Sequence, residues 1–93
     1  MTIGLLEISL QIPGARSLKD KRRVVKGLKE RMRNRFNCSV AEVDLHDVWQ
    51  NAKIAVCVVS ESSRHANEQL NEIARFASMH KDAILADYRI EMI

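Results

Sequence analysis

Residues 3–36, IGLLEISLQIPGARSLKDKRRVVKGLKERMRNRF, decide the fold, because the spacing of apolar side chains changes partway through them. From Ile3 to Ile12 the repeat is two residues. Gly4, Leu6, Ile8, Leu10 and Ile12 fall on one side and Glu7, Ser9 and Gln11 on the other, which is the pattern of a half-buried strand. Pro13-Gly14 then supplies a turn. Beyond it Leu18, Val25, Leu28, Met32 and Phe36 recur at helical spacing and predict a helix from Leu18 to Arg35. Ser17 stands where an N-cap is needed, Asp20 three residues later gives a variant of the capping box, and Asn37 can end the helix.

The same reading extends to the rest of the chain. Ser39 to Asp44 is a short strand with Ala41 and Val43 facing inward, and Leu45 to Ala52 is a loop containing His46, Asp47 and Trp49. Lys53 to Ser60, KIAVCVVS, is apolar on both faces and suits a central strand, with Cys57 in the core. A second helix is expected from Ser62 to Met79, its inner face formed by Ala66, Leu70, Ile73, Ala74 and Ala77. Ala83 to Met92 alternates again, with Ile84, Ala86, Tyr88, Ile90 and Met92 opposite Leu85, Asp87, Arg89 and Glu91. The order βαββαβ predicts one α+β domain over residues 1–93. Its simplest packing is ferredoxin-like, a four-stranded antiparallel sheet with both helices on one face. The other sheet face then exposes part of the third strand together with Leu5 or Leu85, a surface through which a homodimer could form.

Composition narrows the function classes. A chain of 93 residues that is 46% apolar and 29% charged is an ordinary globular domain. No apolar run approaches the roughly 20 residues needed to cross a bilayer, and the N-terminal stretch lacks the basic start of a signal peptide. Cys38 and Cys57 form no CxxC pair and are expected to be free thiols. These features predict a cytoplasmic protein without a membrane partner.

The net charge of +3 hides a strong asymmetry. Ten of the fifteen basic residues lie between Arg16 and Arg35, against only Asp20 and Glu30. On the helical wheel Lys19, Arg22, Lys26, Lys29 and Arg33 occupy a stripe about 80° wide, with Arg23 just beyond it. Neighbouring charges along this stripe stand about 5–6 Å apart, close to the step between phosphates along a nucleic-acid strand. Arg16, Lys19, Lys21, Arg22, Arg23, Lys26, Lys29 and Arg33 are therefore the candidate RNA- or anion-binding residues. Lys21 lies toward the apolar side and would have to reach round the helix end to meet an anion. Gly27 faces away from the core, either leaving room for a partner or simply weakening the helix.

Other chemistries leave less trace. Asp44, His46 and Asp47 have no second histidine or cysteine at ligand spacing, so no metal is expected. No cofactor motif, glycine-rich phosphate loop, nucleophile–base pair or catalytic pair of carboxylates is visible, and no catalytic residue is assigned. The two central strands contain no aromatic residue, which argues against base stacking on the sheet. Trp49 either packs back over the sheet edge or offers an interaction anchor, and packing is the favoured expectation.

Several short motifs carry a resemblance to the YlxP-like family of small bacterial proteins. They are Ser17-Leu18-Lys19, Lys21-Arg22-Arg23, Leu28, Arg35-Phe36-Asn37, Ser39-Val40-Ala41-Glu42, and Trp49-Gln50 with Ala52. The resemblance is densest over residues 13 to 52, and where many relatives have Glu this chain has Asp20. It implies a ferredoxin-like fold and brings no catalytic residues with it. Genes of the family often lie beside those for translation initiation and ribosome maturation, which implies an RNA or ribosomal partner by association. The expectation is a non-enzymatic protein that binds structured RNA or a ribosomal particle through the first helix. The alternative is a homodimeric interaction module whose basic helix meets an acidic protein. A third reading, an enzyme holding a phosphorylated small molecule at the helix N-terminus, requires a concave pocket at Arg16 and Ser17.

Overall fold

The computed structural model describes every residue from Met1 to Ile93. Strand β1 (Thr2–Gln11) leads through the Pro13-Gly14 turn into helix α1 (Leu18–Arg35). Strands β2 (Ser39–Asp44) and β3 (Asn51–Ser60), helix α2 (Ser63–Ser78) and strand β4 (Ile84–Met92) follow. The strands form one antiparallel sheet in the order β2-β3-β1-β4. This is the ferredoxin-like α+β arrangement that the element order predicts.

The core lies between one sheet face and the helices. Leu6, Ile8 and Leu10 of β1 and Ile54, Val56 and Val58 of β3 are buried there. They join Val25, Leu28 and Met32 of α1 and Ala66, Leu70, Ile73, Ala74 and Ala77 of α2 in one cluster. Both helices begin on serine caps. The Ser17 hydroxyl accepts from the Asp20 amide and the Ser62 hydroxyl from the His65 amide, so each satisfies an amide with no partner inside its helix. Asp20 also accepts from the Arg16 amide, one residue before the usual capping-box donor.

Two hydrogen bonds fix the backbone phase of the sheet. Ile12 N–H donates to the Gln50 carbonyl at 2.8 Å, and Ile93 N–H donates to the Ile3 carbonyl at 2.8 Å. Even-numbered residues of β1 therefore exchange hydrogen bonds with β3 and odd-numbered ones with β4, because bonded and non-bonded pairs alternate along an antiparallel ladder. The same alternation turns the backbone of Val40 and Glu42 to the outer edge of β2, and that of Tyr88, Ile90 and Met92 to the outer edge of β4.

Four placements differ from the sequence expectation. In β2 the inward residues are Val40 and Glu42, while Ala41 and Val43 are exposed. Glu42 goes inside because Lys21 waits there, a long-range pairing that outweighs local apolar alternation. In β4 the register slips between Ser9 and Leu10 of β1, so Ala86 is an extra residue. The bulge swaps the faces below it: Leu85 packs against the core and Ile84 is exposed. Cys57 lies half-buried on the open sheet face, opposite Leu5, rather than in the core. Trp49 is half exposed in the β2–β3 loop rather than packed into the core.

Gly4 allows α2 to approach β1 closely. A Cβ built there would stand 2.8 Å from Leu70 Cδ1, 3.3 Å from Val58 Cγ2 and 3.4 Å from Ala66 Cβ, all buried side chains. Gly4→Ala is expected to destabilise the fold by about 1–3 kcal/mol through overpacking, read as a lower urea midpoint at unchanged slope.

Candidate nucleic-acid interface

Helix α1 packs over the β2 side of the sheet and buries the face bearing Lys21, Val25, Leu28 and Met32. Its outer flank carries the predicted row of cations. Lys19, Arg22, Lys26 and Arg33 are exposed and Lys29 is half exposed, so the five form one accessible ridge. Lys19, Arg22, Lys26 and Lys29 have no carboxylate within ion-pair distance, while Arg33 donates to the Val40 carbonyl at 3.2 Å. Arg16 and Arg23 are exposed beside the ridge, Arg23 in a loose 3.7 Å pair with Asp20.

Lys21 does not belong to this surface. Its side chain is 0% exposed, and its Nζ lies 2.7 Å from Glu42 Oε2, a side chain only 13% exposed. The ammonium also donates to the Leu45 carbonyl. Glu42 Oε2 has no other polar partner, so the Lys21 ammonium is the group that compensates its buried charge. The reason is geometric: Lys21 shares its wheel position with Val25, Leu28 and Met32, and the helix carries it under β2. Lys21 is therefore withdrawn from the candidate phosphate contacts. Glu42 and Leu45 were not assigned a role from the sequence. The wheel angle of Lys21 was the available signal, because a lysine on an apolar stripe needs a buried acid.

Leu45 is the only non-glycine residue with positive φ, at 62°. This uncommon conformation turns its carbonyl to accept from both Lys21 and the Val48 amide. His46 turns its imidazole Nε2 back to the Glu42 carbonyl at 3.2 Å. The side chains of Asp44, His46 and Asp47 do not converge into a metal-sized group.

The opposite flank of α1 faces α2. Arg35 lies over the edge-to-face pair Phe36 and Phe76, with its guanidinium 5.6–5.8 Å from the two ring centroids. Burial lowers the pKa of His80 from its usual value, with nearby Arg31 acting in the same direction. Burial pushes the Cys38 thiol up, and Arg33 offsets this in part. A cleft of about 540 Å³ opens between the β1–α1 turn, Asp20, Arg23 and Val24, and the loop Lys81–Ile84. Arg16 and Ser17 do not line it. The cleft is instead lined by their neighbours Ala15 and Asp20.

Comparison with known proteins places this arrangement in a family. A model described as "Protein of unknown function (DUF503)" matches residues 3–90. The chain belongs to the DUF503 family. It is also similar to the uncharacterized protein YlxP of Bacillus subtilis (strain 168), at 35% identity over 74 residues covering 80% of each chain. The family match over residues 3–90 includes all or most of each of the six elements and the whole ridge.

The buried pair sets a stability test. Lys21→Met is expected to cost about 3 kcal/mol by leaving Glu42 uncompensated, whereas Lys21→Met with Glu42→Leu recovers most of that loss. Urea unfolding of the two variants checks this, and equal losses would show that the charge pair is not the source of the effect.

Proposed function

We propose that this protein is a non-enzymatic, cytoplasmic RNA-binding protein, associated with the ribosome or ribosomal RNA, that contacts phosphates through α1. The supporting observation is the ridge of Lys19, Arg22, Lys26, Lys29 and Arg33, which is accessible and nearly free of acid partners. Like charges at i, i+3 and i, i+4 repel, and cations in the first turn oppose the helix dipole. The isolated domain therefore carries a helix whose electrostatics improve when a polyanion is bound. The ridge is a convex row rather than a pocket, which suits a backbone read by shape and charge. The central strands offer no aromatic platform, so the sheet is not the binding face.

The test is binding to ribosomal subunits and ribosomal RNA fragments across a salt series. With about five phosphates contacted, log affinity is expected to fall against log salt with a slope of roughly −3 to −4. Lys26→Glu with Lys29→Glu is expected to abolish most of the affinity, while Lys53→Glu, in β3, leaves it close to wild type. No binding to any RNA at low salt would overturn the proposal. Retention of a partner after ribonuclease treatment of a pull-down would shift the assignment to an acidic protein.

Gly27 adds a second readout. A Cβ there meets no atom within 4 Å, so Gly27→Ala is expected to stabilise the helix by up to about 1 kcal/mol. Unchanged RNA affinity in this variant would show that the partner does not approach the backbone at Gly27.

A further inference from the structure

The two edges of the sheet are finished differently. On β2 the outward carbonyls of Val40 and Glu42 accept from Arg33 and His46, and the basic ridge overhangs that side. Short length, capping side chains and like charge are the usual means of preventing edge pairing. On β4 the outward amide and carbonyl of Ile90, the outward groups of Met92 and the Tyr88 carbonyl have no such cover. Only the Tyr88 amide is engaged, by the carboxylate of its neighbour Asp87 at 2.9 Å. The strand is regular from Asp87 to Met92, with its bulge confined to Ala86.

We propose that β4 pairs antiparallel with β4 of a second copy, Ile90 opposite the partner's Ile90, joining two sheets into one of eight strands. The register follows from charge and from the bulge. Centring on Tyr88 would oppose Ile90 to the bulged Ala86. Centring on Arg89 or on Glu91 would set like charges face to face. Centring on Ile90 leaves the bulge outside the pairing. It places Arg89 opposite the partner's Glu91 twice on the open face, and Tyr88 opposite the partner's Met92 twice on the helix face. The outward groups of Tyr88, Ile90 and Met92 then meet each other in phase, and the Tyr88 amide exchanges the Asp87 carboxylate for a backbone carbonyl. Arg89 already pairs with Glu7 of its own chain at 2.8 Å, so its guanidinium is held on that face.

The two-fold axis of such a pair is perpendicular to the sheet, so the helices of both copies lie on one side. The outermost strands, one β2 at each end, stand seven strand spacings or about 34 Å apart. Each carries its α1 ridge at the outer rim. On the phosphate-binding reading, and for this consequence alone, the dimer would present two cationic ridges to one polyanion.

Sedimentation of the full chain without nucleic acid tests the pairing, at concentrations from about 10 µM to about 1 mM, the range suited to a small interface. Glu91→Arg sets two arginines against each other across the two-fold, and Arg89→Glu sets two glutamates against each other. Each is expected to weaken dimerisation by about tenfold. Mixing the two variants makes both pairs complementary again and is expected to restore dimers at the wild-type concentration. Circular dichroism of each variant confirms that the fold is kept. A wild-type monomer mass at the highest concentration would overturn the proposal. So would dimers indifferent to both variants, or a mixture no tighter than either variant alone. Because no RNA is present, these outcomes are independent of the phosphate-binding reading.

Discussion

The ion pair between Lys21 and Glu42 ties the first helix to the edge of the sheet, and the position of the basic ridge depends on it. A buried ammonium is tolerated only where opposite charge and hydrogen-bond acceptors are already in place. Glu42 and the Leu45 carbonyl meet that need from a strand and from the turn that follows it. Once Lys21 is held there, the rotation of α1 is fixed. The side chains beginning at Lys19 and Arg22 must then point past β2 into solvent. The left-handed backbone at Leu45 belongs to the same device, since it is this turn that presents the carbonyl.

Much of this architecture was legible in the residue order. The alternation of β1, the Ser17 cap, the helical spacing through Met32 and the two-sided apolar run of β3 each reflect a local periodicity with one sensible reading. The ridge was legible for the same reason, because wheel angles follow from helix geometry alone. What the order of residues did not reveal depends on distant partners. In Ser39–Asp44 the two faces are Val40 with Glu42 and Ala41 with Val43, and apolarity alone favours the second pair. Only the position of Lys21, eighteen or more residues earlier in the chain, reverses the choice. In β4 one extra residue at Ala86 inverts the faces of Ile84 and Leu85, and nothing in ILADYRIEM marks the slip. Trp49, in the loop between β2 and β3, remains half exposed, and no periodicity in so short a segment marks which way its side chain will face.

The cationic residues of α1 are sorted by what surrounds them rather than by type. Lys21 is neutralised by a buried acid, Arg35 is placed over two aromatic rings, and Arg33 is partly engaged by a strand carbonyl. Lys19, Arg22, Lys26 and Lys29 have none of these partners. A count of basic residues would treat them all as equivalent, whereas the structure leaves one continuous subset free to meet an external anion. The cleft at the helix start adds Arg23 and Lys81 but also Asp20 and Asp82, so it has no comparable excess of positive charge.

The crossing of β1 between β3 and β4 also bears on how the chain closes. Pairing β1 directly with β4 would bring Glu7 and Arg89 together across nearly the whole chain. If β3 is already beside β1, the stretch to be closed runs only from Ser60 to Ile84, and most of it is α2. Loop-closure entropy grows with the logarithm of length, so each strand that docks lowers the cost of the next. A sheet wired in this way shortens its own remaining loops as it assembles.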